Sequence, residues 1–280
     1  MRPLFMTIGI GLLGLGTVGA GVAQILATPQ GRHPLVAELA LRRVAVRDLQ
    51  RPRPIALDAA LLSTEPEAVV DDPAVDIVVE VMGGLEPARS LILRAIAAGK
   101  PVVTANKAVI ARYGEEIAAA AAERGVYVLI EAAVGGGIPI IEPLKQSLGA
   151  NRITRVSGII NGTTNYILSR MADEGAAYGE VLADAQRLGY AEADPAADVQ
   201  GGDAADKIAI LAALAYGGSV PRADIPATGI DRLDARDVAY ADRLGYGVKL
   251  LAVAEQVGQA ADGSAELDIS VNPTLVPRDH

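Results

Sequence analysis

The 280-residue sequence contains no cysteine, and histidine and phenylalanine are also rare. Without cysteine the chain can form neither a disulfide framework nor a thiolate metal site, and it has no thiol nucleophile, which favours a cytoplasmic protein. The basic residues are few and scattered, and the formal net charge is −9. The sequence therefore predicts no surface that tracks the phosphates of nucleic acid.

Charged residues are missing from residues 3–27, a stretch long enough to resemble a signal peptide or a membrane span. Six glycines lie between Gly9 and Gly21. Each glycine weakens an isolated helix by about 1 kcal/mol relative to alanine, which argues against a membrane helix. We expect a buried strand and a tight turn here, and no membrane association.

The first half of the chain alternates short apolar runs with alanine-rich stretches, a pattern typical of parallel strands joined by crossover helices. Gly99 and Gly125 provide stop signals for two of the helices. The pattern predicts an α/β fold with a Rossmann-type, doubly wound parallel sheet. The predicted strands are 5–13, 42–47, 75–81, 101–104 and 126–131, and the predicted helices are 17–27, 87–98 and 107–124.

A glycine-rich hinge from Val134 to Pro139 marks the domain boundary. We assign residues 1–134 to this Rossmann-type domain and residues 135–280 to a second, α+β domain. The second domain is predicted to contain helices near 140–148, 164–173, 178–188, 203–217 and 235–245, and strands at 152–160, 248–257 and 266–272. Because the chain stops directly after the last of these strands, we expect this domain to be incomplete at its C-terminus.

The clearest motif is a glycine fingerprint, GLGTVG, from Gly14 to Gly19. It follows an apolar strand and opens a helix, the context in which such glycines allow a tight turn and close approach of a pyrophosphate. Helix N–H groups at Gly16, Thr17 and Val18 would then hold the phosphates. A second match beginning at Gly9 is rejected, because it would leave too short a first strand.

Arg47 and Asp48 follow the second predicted strand, where the adenosine ribose should lie. A carboxylate at this place accepts the ribose hydroxyls of NAD, whereas an arginine pairs with the 2′-phosphate of NADP. With Arg51 and Arg53 nearby, NADP is favoured over NAD. The alternative is that these arginines only solvate a loop.

Hydride transfer to an aldehyde also requires a proton donor, and the ordinary candidates are scarce. His33 lies in a loop expected at the surface, and His280 is terminal; no tyrosine is followed four residues later by lysine. Lysine remains. Lys107 follows the fourth strand, at the sheet edge where such folds bind ligands, and Lys207 lies in the predicted helix 203–217, before its apolar turns.

Lys207 stands four residues after Asp203, a spacing that allows two interpretations. On an exposed helix face the two would form an ordinary ion pair worth about 0.3–0.5 kcal/mol. The turns that follow are apolar on every side, however, which predicts a buried helix and a partly desolvated lysine. Desolvation makes an ammonium a better proton donor near neutral pH, so a catalytic role is the second interpretation.

Taken together, five motifs resemble the homoserine dehydrogenase family, in order along the whole chain. They are GLGTVG from Gly14, TANK from Thr104, EAAVGGGIP from Glu131, NGTTN from Asn161, and GYAEADP from Gly189, followed by Asp203 and Lys207. The resemblance implies NAD(P)-dependent interconversion of L-homoserine and L-aspartate 4-semialdehyde, a step toward threonine, methionine and isoleucine.

The resemblance also implies roles for individual residues. Lys207 would exchange a proton with the substrate oxygen, and Lys107 would lie beside the nicotinamide and the substrate. Asp203 and Glu192 would bind the ammonium and hydroxyl ends of the amino-acid substrate, with Asp198 supporting them. The full-length protein would be a homodimer.

Further ligand contacts follow from the same resemblance. Gly189 and Glu192 would join Lys107 at the cofactor. A sodium ion would be bound by oxygen atoms only, a ligand set suited to a hard cation, although the glycines could equally be a simple hinge. Its ligands would be Glu131, Val134, Gly136 and Ile138.

Two other functions remain open. A sugar or inositol oxidoreductase of the Gfo/Idh type shares a lysine after the fourth strand, but usually in a Glu-Lys-Pro context, whereas Asn106 precedes Lys107 here. A protein that senses NAD(P) without catalysis would assign no role to Lys207. In the family, chain beyond the position of His280 completes the nucleotide domain, so we expect activity of the present segment to be impaired.

Overall fold

Residues 7–279 are described by a computed structural model, and they divide into two compact units between Ile138 and Pro139. The first unit contains a sheet of six strands, all pairing in parallel. The strands are β1 (Ile8–Leu13), β2 (Leu39–Ala45), β3 (Leu62–Ser63), β4 (Ile77–Glu80), β5 (Val102–Thr104) and β6 (Val128–Leu129). The helices are α1 (Thr17–Ala27), α2 (Pro66–Asp71), α3 (Ala88–Ala97) and α4 (Lys107–Arg124).

The strand order is β3-β2-β1-β4-β5-β6, which is the doubly wound order of dinucleotide-binding folds. The strand order runs one way from β1 to β3 and the other way from β4 to β6. Ligands of such folds bind beyond the carboxyl ends of the strands, at the switch between β1 and β4. The α/β, Rossmann-type prediction is confirmed. Residues 5 and 6 of the first predicted strand lie outside the described residues.

The turn between β1 and α1 depends on two glycines. Gly14 has a φ of +102°, which residues with a side chain rarely adopt. Gly19 faces the turn, and a Cβ added there would lie 2.1 Å from the carbonyl oxygen of Gly14. The frame that begins at Gly14 is therefore the working fingerprint, while Gly9 and Gly11 lie inside β1.

The second unit combines helices with a three-stranded antiparallel sheet in the order β7-β8-β9. Its strands are β7 (Arg155–Gly158), β8 (Tyr246–Gln259) and β9 (Ala265–Pro277). Its helices are α5 (Gly162–Glu174), α6 (Tyr178–Leu188), α7 (Ala196–Val199), α8 (Gly202–Tyr216) and α9 (Ala235–Arg243). Helix α8 packs against all three strands, and alternate residues of β8, from Val248 to Ala254, are buried.

Several predicted elements differ from the structure. The helix predicted near 140–148 contains a π-helical turn over Pro143–Ser147. The strand predicted at 152–160 is only β7, and the strand predicted at 266–272 extends to Pro277 in β9. Elements β3, α2 and α7 were not predicted, because runs of two to six residues are too short for a periodic pattern.

Two further predictions concerned the domain boundary and membrane association. The units separate at Ile138, four residues after the predicted boundary at Val134. Within residues 7–279, no helix is both long enough and apolar enough to cross a membrane.

Glycine at position 19 is predicted to be a packing requirement of the first unit. Gly19→Ala should lower the free energy of unfolding by about 1–3 kcal/mol, because the new methyl group collides with the Gly14 carbonyl. The matched control is Gly21→Ala in the same helix, where a Cβ meets nothing within 4 Å. That variant should gain about 0.5–1 kcal/mol from higher helix propensity. Urea denaturation followed by circular dichroism measures both, and equal effects would contradict the packing argument.

Candidate active site

The start of α1 has the features of a phosphate-binding helix end. Gly16, Thr17 and Val18 are exposed there, while Gly19 is buried against the turn. Within residues 7–279, no side chain caps this helix, and its first turn contains no acidic residue. A Cβ added at Gly16 would meet nothing within 4 Å, so there is room for a ligand to approach the backbone. Free N–H groups and the helix dipole both favour an anion.

A cavity of about 330 Å³ lies beside this helix start. Its walls include Gly16, Thr17, Arg51 and Arg53. The Arg53 guanidinium donates to loop carbonyls, including that of Asp48, and so holds the loop together. By contrast, in the part of the chain that the structure describes, the guanidinium of Arg51 makes no hydrogen bond or ion pair.

Arg47 lies just after β2 and is exposed, but it is not among the residues that line this cavity. Its neighbour Asp48 is also exposed, and one of its carboxylate oxygens accepts a hydrogen bond from the backbone N–H of Gln50. Arg47 and Arg51 are therefore exposed cations in the segment that follows β2, and Arg51 also lines the cavity beside the start of α1.

Lys107 is the first residue of α4 and is half-buried. The helix is capped by Asn106, whose side chain accepts a hydrogen bond from the backbone N–H of Val109 at 3.2 Å. The Asn106 amide also donates to the Gly84 carbonyl at 2.8 Å. The position of Lys107 at the carboxyl edge of the sheet is thus fixed by a buried cap.

A buried polar network under Lys107 was not anticipated from the sequence. Glu80 and Thr104 end neighbouring strands β4 and β5, face each other in register, and are fully buried. The Thr104 hydroxyl donates to the Glu80 carboxylate at 2.7 Å and accepts from the Asn106 N–H at 2.9 Å. The available signal was a charged residue ending the apolar run Ile77–Glu80.

Lys207 lies on α8 and forms a largely buried ion pair in the second unit. Its Nζ is 2.7 Å from Oδ2 of Asp203 and 2.8 Å from the carbonyl oxygen of Ile160. The side chains of Lys207 and Asp203 are only 17% and 7% exposed. The pair is therefore the one expected from the spacing, but it is buried rather than on an exposed helix face.

Asn161 connects this ion pair to a second carboxylate. Its Nδ2 donates to Asp203 Oδ2 at 2.9 Å and to Asp198 Oδ1 at 2.7 Å. Among residues 7–279, no lysine or arginine forms an ion pair with Asp198. With two carboxylates and one ammonium, the cluster of Asn161, Asp198, Asp203 and Lys207 has one formal negative charge in excess, which suits a cationic ligand group.

Gly189 and Glu192 lie in the loop that follows α6. Gly189 ends that helix in the left-handed conformation, with φ of +80°. The loop is tied to α5, because the Thr163 hydroxyl donates to the Tyr190 carbonyl at 2.9 Å. The Glu192 side chain is exposed, and the structure shows its backbone carbonyl, not its carboxylate, accepting from Gln186.

The four predicted sodium ligands lie along one curved segment at the end of the first unit. Glu131 begins a short 3-10 turn and is half-buried, and Val134 is buried. Gly135 and Gly136 then adopt positive φ values of +80° and +56°, and Ile138 is exposed. Within residues 7–279, no group of three histidine, aspartate or glutamate side chains lies close enough together to bind a metal ion.

The remaining residues discussed in the sequence analysis are the two histidines and Asn161. His33 is exposed, and its Nδ1 accepts the Leu35 N–H at 3.3 Å, as expected of a surface residue. His280 lies outside the described residues. The importance of Asn161 as a bridge was missed, because its contacts span 37 and 42 residues of sequence.

Two family models match the chain in order. Residues 14–131 match the model described as "Homoserine dehydrogenase, NAD binding domain", and residues 139–280 match the model described as "Homoserine dehydrogenase". The chain belongs to the homoserine dehydrogenase family. The resemblance inferred from the five motifs is thereby confirmed.

Individual members of the homoserine dehydrogenase family agree with this assignment. A homoserine dehydrogenase from Synechocystis is 62% identical over 275 residues, which are 98% of this chain and 63% of the relative. A crystal structure from Thiobacillus denitrificans superposes with a TM-score of 0.87 at 48% identity, covering 98% of this chain and 62% of that one. A hyperthermophilic archaeal family member in complex with NADPH has a TM-score of 0.78 at 27% identity, covering 98% and 83%.

The chain thus spans less than two thirds of the length of the Synechocystis and Thiobacillus relatives. Both of the matched family models lie within it.

Proposed function

We propose that this protein interconverts L-homoserine and L-aspartate 4-semialdehyde with NADP(H), as part of threonine, methionine and isoleucine biosynthesis. The first unit would bind the nucleotide and the second unit would bind the amino acid. The observation that supports this best is the buried Lys207–Asp203 pair joined to Asp198, in a chain of this family.

Lys207 is suited to moving the proton of the reaction. When bound, the nicotinamide supplies or accepts the hydride at the substrate carbon. As an aldehyde is reduced, negative charge develops on its oxygen, and an ammonium at that oxygen can donate the balancing proton. Lys207 retains a third N–H for this purpose, because an ammonium has three donors and two are directed at Asp203 and Ile160.

The carboxylates are suited to recognising the amino-acid end of the substrate. An amino acid presents an ammonium group, and the cluster around Asp198 and Asp203 has an excess negative charge. Glu192 is exposed on a nearby loop that is tied to α5, and we propose that its carboxylate also contacts bound ligands. Both contributions would favour a zwitterionic amino acid over a neutral alcohol.

The first unit fits a dinucleotide. The N–H groups at the start of α1, from Gly16 to Val18, would hold the pyrophosphate, and Gly14 and Gly19 would keep the turn tight. Lys107 would lie close to the nicotinamide end, since it begins α4 at the carboxyl edge of the sheet. Gly189 of the second unit is the remaining proposed cofactor contact.

NADP is the proposed cofactor because Arg51 lines the cavity beside the start of α1 and Arg47 is exposed just after β2. Arg47 and Arg51 are available to pair with the 2′-phosphate, the group that distinguishes NADP from NAD. The archaeal relative in complex with NADPH supports the same choice.

A sodium ion is a further proposal. Glu131 and the carbonyl oxygens of Val134, Gly136 and Ile138 would bind it, and the left-handed pair Gly135–Gly136 bends the backbone. Oxygen ligands alone are appropriate for such a hard cation. The ion would stabilise the bent segment and take no part in proton transfer.

The central test of the proposed function is a substitution of the lysine. In the full-length protein, Lys207→Ala should lower kcat for homoserine-dependent NADP reduction about 100- to 10,000-fold, because in this direction the substrate hydroxyl loses the group that accepts its proton. The rate is measured by NADPH absorbance. The control is Lys145→Ala, which removes an exposed lysine of the same unit that pairs with Glu142.

Lys145→Ala should retain the wild-type rate within about twofold. Activity of Lys207→Ala close to that of wild type would remove the lysine from the chemistry. Binding of NADPH by wild-type protein without turnover of homoserine would instead favour a cofactor sensor.

The cofactor preference is tested by the arginines. Arg47→Ala and Arg51→Ala should each raise KM for NADPH about tenfold or more while changing KM for NADH little, because only NADPH has a 2′-phosphate. Arg32→Ala is the matched control, since Arg32 is an exposed arginine that donates to the Thr28 carbonyl after α1. Equal losses with both cofactors would show that the two arginines only solvate the loop.

A further inference from the structure

We infer that Asn161 is a positioning residue for the reaction, which orients Asp203 and thereby fixes the ammonium of Lys207. The inference rests on the proposed function, because positioning has meaning only if Lys207 acts on a substrate. Asn161 itself need not touch the substrate. Its role is to hold two carboxylates and one ammonium in a single arrangement.

All the hydrogen-bonding capacity of the Asn161 side chain is used inside the protein. Its amide nitrogen donates one hydrogen to Asp198 and one to Asp203. Its amide oxygen accepts from the backbone N–H of Thr164 at 2.8 Å and lies 2.9 Å from the Thr164 hydroxyl. An amide has two donors and two acceptor positions, so the side chain is fully matched to these neighbours.

The surrounding charges also determine which way the amide points. If the amide group were flipped, its oxygen would face the carboxylates of Asp198 and Asp203, and its NH₂ would face the N–H of Thr164. Both contacts would be repulsive, and Asn161 is only 5% exposed, so water could not relieve them. The observed orientation is therefore the one that the buried site allows.

Asn161 and Lys207 share one acceptor. Oδ2 of Asp203 accepts from Asn161 Nδ2 at 2.9 Å and from Lys207 Nζ at 2.7 Å. The second contact of Lys207 is the carbonyl of Ile160, the residue next to Asn161. One short segment, Ile160–Asn161, thus orients the lysine directly through a carbonyl and indirectly through Asp203.

The amide is the chemically appropriate group at this position. Aspartate has nearly the same shape and could still accept from Thr164, so it would preserve the cap of α5. It would, however, remove both donors and place a third carboxylate against Asp198 and Asp203. Crowded carboxylates retain protons more strongly, and a protonated carboxyl regains one donor.

The test is Asn161→Asp in the full-length protein, assayed for homoserine-dependent NADP reduction across pH. We expect kcat to fall about 10- to 100-fold near pH 8, since misplacement of a reacting group by about 1 Å has an effect of this order. We also expect the ratio of variant to wild-type kcat to rise as the pH is lowered toward about 6, because protonation restores a donor. A residue that only caps α5 would produce neither effect.

The matched control is Asn165→Asp, the same change one turn further along α5. Asn165 accepts from Lys249 through its amide oxygen at 3.0 Å, and it contacts none of Asp198, Asp203 and Lys207 in the described chain. This variant should keep kcat within about twofold of wild type, with an unaltered pH profile. If Asn161→Asp behaves in the same way, the inference is wrong.

A crystal structure of full-length Asn161→Asp at neutral pH gives a readout that does not depend on activity. We expect the Asp203 carboxylate to rotate and its contact with Lys207 to change. An unchanged Asp203–Lys207 pair would overturn the inference. If wild-type protein lacks homoserine-dependent activity but the carboxylate rotates, the proposed function fails while the structural role of Asn161 stands.

Discussion

The buried ion pair of Lys207 and Asp203 is the interaction on which the rest of the proposed site depends. Removing an ammonium and a carboxylate from solvent costs several kcal/mol per ion unless geometry and further hydrogen bonds offset that cost. Lys207 and Asp203 meet at 2.7 Å, and polar groups of Ile160 and Asn161 also hydrogen-bond to them. The apolar helix α8 and the sheet beneath it provide the burial. A pair on an exposed helix face would be solvated by water and would not need hydrogen bonds from Ile160 and Asn161.

The two units differ in how they treat polar groups. In the first, the N–H groups at the start of α1 have no side-chain cap among the described residues, so they are available to an anion. In the second, the polar groups are joined into a network with a surplus negative charge, which favours a cation. A phosphate-containing cofactor is complementary to the N–H groups at the start of α1, and an amino-acid ammonium is complementary to the negatively charged cluster of the second unit. The proposed reaction needs both kinds of ligand.

Much of the fold could be predicted from the sequence because glycine marks the ends of several helices. Helices α1, α4 and α6 have the predicted bounds, and Gly125 and Gly189 end the latter two in left-handed conformations. Strands were less well defined: β2 begins three residues before its predicted start, since Leu39–Leu41 is apolar but lies outside the β-branched run. The π-helical turn at Pro143–Ser147 depends on packing that periodicity cannot reveal.

The site, like the fold, was partly predictable from the sequence. The burial of Lys207 could be predicted, because the apolar turns after it exposed no polar face. The bridge through Asn161 could not, since it depends on how α5, α7 and α8 meet. Likewise, only the register of β4 with β5 brings Glu80 to Thr104.

A crystal structure of the full-length protein with NADP and homoserine would test the central claim most directly. We expect Nζ of Lys207 to lie about 3 Å from the substrate hydroxyl while keeping its contact with Asp203. A lysine that points into solvent, with another group at hydrogen-bond distance from that hydroxyl, would contradict it.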